Sequence, residues 1–228
     1  KKPSQIGLYL RDEYGIPDYL LGHSLGEFSA LVAAGCISFE QGIRIVKKRG
    51  ELTGNVDVDG SMVATLGIEY SRVEEIINGM ENPVTIANHN SPKQVVISGR
   101  KDQLSTSCKK LREAGARCIK LDVTGPFHSQ FMKEAELELK NYIKMYDFND
   151  PKMPVLSGVS GKLEHSGSRL QKLLCRQMTR PVNWVDYIKT LSDHEVDKTV
   201  EIGPGNTLTK LNERIDPELN GKIFDEVM

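Results

Sequence analysis

Opposite charges nearly cancel in this chain. Its 30 Lys and Arg meet 31 Asp and Glu, a formal net charge of −1. No global field therefore points to nucleic acid or to an anionic membrane as partner. No apolar run approaches the length of a membrane span. The opening Lys1-Lys2-Pro3-Ser4 leads into a polar helical pattern, so no signal peptide is expected in this stretch. Cysteine is scarce: Cys36, Cys108, Cys118 and Cys175 are spread out, and none belongs to a C-x-x-C pair. They read as buried or incidental thiols of a reducing, cytoplasmic compartment. The five histidines (His23, His89, His128, His165 and His194) show neither H-x-x-x-H nor H-E-x-x-H spacing, so no metal site is expected. Internal repeats and low-complexity tracts are lacking as well.

What is present is an ordinary globular composition. Hydrophobic residues make up 39% of the 228 and charged residues 27%. That length suits one large domain, or a domain with a smaller one inserted. Periodicity predicts helices over 5–14, 27–34 and 38–52, with a short buried strand over 19–22. Ser38 is the expected N-cap of the third helix, with Gln41 as its capping-box partner. The polar stretch 54–60 reads as a loop and a domain boundary.

Beyond it the period changes. Strands are expected over 62–66, 84–87, 94–98 and 116–122, and helices over 71–80 and 101–114. The turn-rich Asn88-His89-Asn90-Ser91-Pro92 would join the second strand to the third. This βαββαβ order is the ferredoxin-like arrangement. It predicts a small subdomain over 60–123, inserted into a large α/β subdomain made of 1–59 and 124–228. In the outer part, strands at 154–157 and 198–201 alternate with helices over 130–143, 170–178, 184–192 and 208–215, which predicts a mostly parallel sheet. The chain opens in mid-pattern, so the N-terminus of the natural domain is expected to be missing.

The organising stretch is Gly22-His23-Ser24-Leu25-Gly26-Glu27, a G-x-S-x-G spacing between an apolar run and a helical pattern. A strand turning sharply into a helix would raise Ser24 to a strained apex, with both glycines removing Cβ clashes. A helix N-terminus beside the serine favours developing negative charge. Such a nucleophile needs a base. His128 is the best candidate, in a loop stiffened by Pro126 and walled by Phe127; its alternative task is to cap the following helix. His23 is too close in sequence for a base, since neighbouring strand side chains point to opposite faces. It is left with packing, a local hydrogen bond or a contact to substrate. Arg49, in the basic Lys47-Lys48-Arg49, is either part of a solvated face or a guanidinium fork for a substrate carboxylate.

At this point the chain resembles a known family. Gly22–Glu27 is similar to the G-H-S-x-G-E motif of malonyl-CoA:acyl-carrier-protein transacylases and of the acyltransferase domains of fatty acid and polyketide synthases. Lys48-Arg49-Gly50-Glu51 resembles that family's arginine helix. Asn88 to Gly99 resembles its N-x-N-S-P-x-Q-x-V-I-S-G stretch, and Phe127-His128-Ser129 its histidine segment. Arg176-Gln177, with Pro181-Val182 and Trp184, resembles its R-Q…P-V-x-W helix, and Glu201-Ile202-Gly203-Pro204-Gly205 its E-x-G-P-G close. These motifs run in order over nearly the whole chain.

The resemblance implies an α/β-hydrolase-like core with an inserted ferredoxin-like subdomain. It implies malonyl transfer from coenzyme A to an acyl carrier protein, with ping-pong kinetics, no metal, and no cofactor beyond the coenzyme A thioester as substrate. It gives Ser24 the role of nucleophile and His128 that of base. The backbone carbonyl of Gln177 would orient the His128 ring, the backbone N–H of Leu25 would be an oxyanion donor, and Arg49 would pair with the malonyl carboxylate. Phe127 would disfavour a branch on the substrate's second carbon. The chain departs from the family at its start, where nothing matches the G-Q-G-S-Q segment that supplies a second oxyanion donor. Two other readings stay open: a serine hydrolase of carrier-protein thioesters, and an inactive docking module.

Overall fold

The computed structural model describes residues 15–223; the helix expected over 5–14 lies outside them. The described residues divide into two compact units. One takes in 15–52 and 135–177, the other 53–134 and 178–223. The boundaries expected at 59/60 and 123/124 are therefore not those of the compact units, because the C-terminal stretch joins the βαββαβ segment. The link is local: the Val182 N–H donates to the Ala87 carbonyl, the His89 N–H donates to the Val182 carbonyl, and Asn88 and Val182 form a parallel bridge.

In the first unit, α1 (Gly26–Ala33) follows the elbow and α2 (Phe39–Gly54) follows a short turn. The predicted capping box starts α2. Ser38 Oγ accepts from the Gln41 N–H at 3.2 Å, and Gln41 Oε1 accepts from the Ser38 N–H at 2.7 Å. The strand expected over 19–22 reduces to one parallel bridge, Leu20 to Val155, flanked by two backbone hydrogen bonds.

The second unit holds the largest sheet among the described residues. β1 (Gly60–Leu66), α3 (Tyr70–Asn78), β2 (Thr85–Ser91), β3 (Gln94–Arg100), α4 (Lys101–Glu113) and β4 (Arg117–Lys120) follow in the predicted βαββαβ order. Their spatial order is β2-β3-β1-β4, and every neighbouring pair is antiparallel. The mostly parallel sheet is expected of the outer part, where the pairing is mixed: Leu20 and Val155 bridge in parallel and 198–201 pairs in parallel with 220–223, while 155–156 and 163–164 pair antiparallel. The loop expected over 88–92 is strand as far as Ser91, so β2 and β3 form a tight hairpin, which can only be antiparallel. Alternation along β1 then sorts its side chains. Val63 faces a core with Val73, Ile77, Val95, Ile97, Leu104 and Leu111, which come in part from the two helices. Met62 and Ala64 face the other way, with Ala87 and Val96, and Phe127 packs on them.

The remaining elements are α5 (Lys133–Ile143), preceded by a 3-10 turn (Gln130–Met132), then β5 (Val155–Leu156), β6 (Leu163–Glu164) and α6 (Gly167–Leu174). After a second 3-10 turn (Gln177–Thr179) come α7 (Trp184–Asp193), β7 (Lys198–Glu201), α8 (Thr207–Ile215) and β8 (Asn220–Ile223). β7 and β8 pair in parallel, as a strand–helix–strand unit requires. Glu201 starts α8 by accepting from the Leu208 and Thr209 N–H groups. No helix among the described residues is long and apolar enough to cross a membrane.

Candidate active site

Ser24 lies at φ +50°, in the left-handed region. Only three non-glycine residues among those described have positive φ: Ser24, His128 and Glu195. Such strain persists where the surrounding structure over-determines it, as at functional sites. The chain reverses tightly here. The Gly26 N–H donates to the His23 carbonyl at 2.9 Å, and the Glu27 N–H to the Ser24 carbonyl at 3.2 Å. This fold-back explains Gly22, where a Cβ would collide with the backbone of Gly26 and Glu27. Gly26 is different, since a Cβ there would meet no described atom within 4 Å. The expectation that both glycines relieve a clash is thus corrected for Gly26, whose Cβ direction points away from the reversal.

Arg49 reaches Ser24 from α2. Its Nη2 donates to Ser24 Oγ at 3.1 Å, and its guanidinium lies 5.8 Å from the Phe28 ring centroid. Lys47 does not share that inward direction: it is exposed and pairs with exposed Glu51 at 3.9 Å. Of the two readings of this basic run, the solvated face describes Lys47, and the inward guanidinium describes Arg49. Burial works to lower the Arg49 pKa, and the negative charge of Glu27 opposes it. Arg49 Nε is buried and has no hydrogen-bond partner, an open donor next to the serine hydroxyl.

Leu25 is half-exposed at the start of α1. No described residue accepts from its N–H, because the turn is closed by the next two amides. His23 is partly buried and its carbonyl caps the turn. Glu27 and Gln177 complete this part of the site, and the task found for each differs from what the sequence shows. Glu27 is 1% exposed and accepts from the Gly158 N–H at 3.0 Å and from Gln177 Nε2 at 2.5 Å. Gln177 Nε2 also donates to the Ser24 carbonyl at 2.9 Å. A glutamate after the second glycine reads as a helix-start acid, and nothing local tells that it turns inward.

His128 belongs to the second unit. It is 4% exposed, at φ +55°, and its Nδ1 bonds the Arg180 carbonyl at 2.9 Å. A carbonyl only accepts, so Nδ1 carries the proton and Nε2 keeps a lone pair. The orienting carbonyl is thus that of Arg180, three residues beyond the Gln177 expected to provide it. The reason is the sheet edge: Val182 is bonded to β2, which sets the path of the chain through Arg180. The capping task weighed for His128 falls to Ser129, whose Oγ accepts from the Phe131 N–H at 3.3 Å. Phe127 packs on Met62, Ala64, Ala87 and Val96. His89 stacks on Tyr70 with ring centroids 4.3 Å apart. No three His, Cys, Asp or Glu side chains among the described residues cluster as a metal site requires.

Comparison with known proteins gives one consistent answer. The family model described as "Acyl transferase domain" matches residues 12–216. The polyketide biosynthesis protein ThaF of Burkholderia thailandensis is 41% identical over 212 residues, covering 92% of this chain and 18% of that protein. A malonyl CoA-acyl carrier protein transacylase of Staphylococcus aureus is 37% identical over 209 residues, covering 89% of this chain and 68% of the relative. Among solved structures, an acyl carrier protein S-malonyltransferase from Vibrio cholerae superposes with a TM-score of 0.92 at 35% identity, covering 99% of this chain and 78% of that one. The chain has the α/β fold of these acyltransferases, and with a family match over most of its length it belongs to the acyl transferase domain family.

Proposed function

We propose that this protein moves a malonyl group from coenzyme A to the phosphopantetheine thiol of an acyl carrier protein through a malonyl-Ser24 intermediate. The observation that carries this reading is Arg49: a partly buried guanidinium on the serine hydroxyl, with its Nε donor open. A neutral acyl group has no use for that cation, whereas the carboxylate of malonyl pairs with it. Retained activity on neutral acyl groups only would favour the hydrolase reading instead.

The steps follow from the residues. The Ser24 hydroxyl gives its proton to His128 Nε2 while its oxygen adds to the thioester carbonyl. The Leu25 N–H, at the start of α1, donates to the developing oxyanion. Collapse breaks the C–S bond, and the coenzyme A sulfur leaves with the proton from His128. The carrier-protein thiol then gives its proton to His128 and attacks the malonyl-serine ester; collapse breaks the ester C–O bond, the Ser24 oxygen takes the proton back from His128, and malonyl stays on the carrier thiol. Arg49 holds the malonyl carboxylate throughout, and His23 and Phe127 line the acyl group. The Arg180 carbonyl keeps the His128 ring in the tautomer that the first step needs. We further read the 60–123 segment as a ferredoxin-like subdomain on an α/β-hydrolase-like core. The antiparallel β2-β3-β1-β4 order supports the first part of that reading.

The test is covalent labelling. Wild-type protein incubated with radiolabelled malonyl-CoA acquires one acid-stable label, and Ser24→Ala acquires none. A Ser24→Ala protein that still takes up label would sink the assignment.

A further inference from the structure

Glu27 and the Gln177 side chain have no part in the chemistry above, yet both are buried against the serine. Three donors from two segments converge on the Glu27 carboxylate: the Gly158 N–H on one oxygen, Gln177 Nε2 on the other, and the Ser157 hydroxyl beside Gly158. The same Gln177 nitrogen donates its second hydrogen to the Ser24 carbonyl. Both targets of that nitrogen only accept, so the amide has a single allowed orientation. Its Oε1 is left buried without a partner. Leaving an acceptor in that state is costly, and the amide holds it to keep Nε2 on Ser24 and Glu27. The backbone so gripped is that of Ser24, the residue at φ +50°.

We propose that Glu27 and the Gln177 side chain are positioning residues, a buried clamp that holds the Ser24 elbow in its left-handed backbone conformation. The inference rests on Ser24 being the nucleophile, as argued above.

The clamp depends on a carboxylate at position 27. A glutamine there would present one acceptor and one donor. Turned one way, its amide nitrogen faces Gln177 Nε2; turned the other, it faces the Gly158 N–H. Either donor–donor contact is relieved only by moving a segment. If Gln177 flips to adapt, its oxygen meets the Ser24 carbonyl oxygen. The ionised state is also the strained one. Burial raises the Glu27 pKa, while the hydrogen bonds from Gln177, Gly158 and Ser157 and the charge of Arg49 hold it down. The charged group that faces Glu27 is Arg49, from α2; the 155–158 segment contributes only the uncharged Ser157 and Gly158.

The test compares Glu27→Gln, Gln177→Leu and Gln177→Glu with wild type in the full chain. Two readouts are taken: malonylation from malonyl-CoA, and labelling of Ser24 by a fluorophosphonate, which needs the elbow but not Arg49. Glu27→Gln and Gln177→Leu are expected to slow both reactions about ten- to a hundredfold per folded molecule, as misplacement of a reacting atom does. The KM for malonyl-CoA should stay within about twofold, because Arg49 still binds the carboxylate. In Gln177→Glu, two carboxyl groups share one site, and the one bond left of the clamp, a carboxyl O–H on a carboxylate, forms only while one of them is protonated. The ratio of its rate to the wild-type rate should therefore fall between about pH 6 and about pH 9. Rates that drop only in proportion to lost folded protein, or a Gln177→Glu ratio flat with pH, would overturn the clamp. A wild type labelled by the fluorophosphonate but never malonylated counts against malonyl transfer alone, and the clamp is then judged on the fluorophosphonate rates.

Discussion

Arg49 donates to the Ser24 hydroxyl at 3.1 Å although 25 residues separate them in sequence. In the proposed reaction the pair joins the point of bond formation to the charge that selects the substrate. The guanidinium rests near the Phe28 face and keeps one buried donor unused. Attraction between a cation and a ring face holds the group in place without consuming its hydrogens.

Replacing that cation should change which acyl group is used. Arg49→Ala is expected to lower kcat/KM for malonyl-CoA by at least about a hundredfold, the loss of two charge-assisted hydrogen bonds. Acetyl-CoA turnover should be unchanged or improved, since no carboxylate needs a partner. Parallel assays with the two thioesters decide it. Equal losses on both would mean that Arg49 only supports the fold.

The two glycines of the elbow should behave differently. A methyl group at Gly22 falls on the backbone of Gly26 and Glu27, where no side chain can give way. Gly22→Ala should cost on the order of 3 kcal/mol or more and abolish labelling of Ser24. Gly26→Ala meets open space at the first position of α1 and should be neutral or slightly stabilising. Thermal melting of the two variants beside wild type is the check.

His128 occupies a backbone conformation that asparagine tolerates better than most residues. His128→Asn should therefore fold with a melting temperature close to wild type. Without a base at Nε2, malonylation should slow by about a hundred- to ten-thousandfold. Rapid-quench measurement of the acyl-enzyme would show it. A variant with near-normal rates would remove His128 from the proton path.

Two thiols should be silent. Burial, reinforced by Asp150, pushes Cys36 up to about 11. Burial, with Cys118 next to it, pushes Cys108 up to about 12. At neutral pH neither is a thiolate, so iodoacetamide should modify both only after unfolding, as peptide mass spectrometry would report. Their pKa values are raised in the folded state. The stability linked to them is therefore complete below about pH 9 and is lost as pH climbs through 11 for Cys36 and 12 for Cys108. Cys36→Ala should show a shallower fall in melting temperature over that alkaline range.

Features that depend on near neighbours in sequence could be read directly. The Ser38–Gln41 capping box is a three-residue relation, and it stands as predicted. The βαββαβ order follows from periods of two and 3.6, and it too is observed over 60–120. The stretch 88–91 was harder. Its asparagines and serine favour turns, but pairing with β3 and the bridge to Val182 outweigh that local preference.

The candidate site divides along the same line. Ser24, Arg49 and His128 are legible because the proposed chemistry falls to their side chains, and chemistry limits residue type. The chain by itself determined a strained serine elbow, a planar cation and a candidate imidazole base, in an α/β setting. Tertiary structure alone decided that the carbonyl behind His128 is that of Arg180, since every residue carries a carbonyl and only the chain path aims one. It also decided that Glu27 turns inward to grip Gln177, and through it Ser24. A glutamate at a helix start serves equally well in water. Burial against donors converging from two distant segments, which no local pattern encodes, is what makes this one part of the elbow.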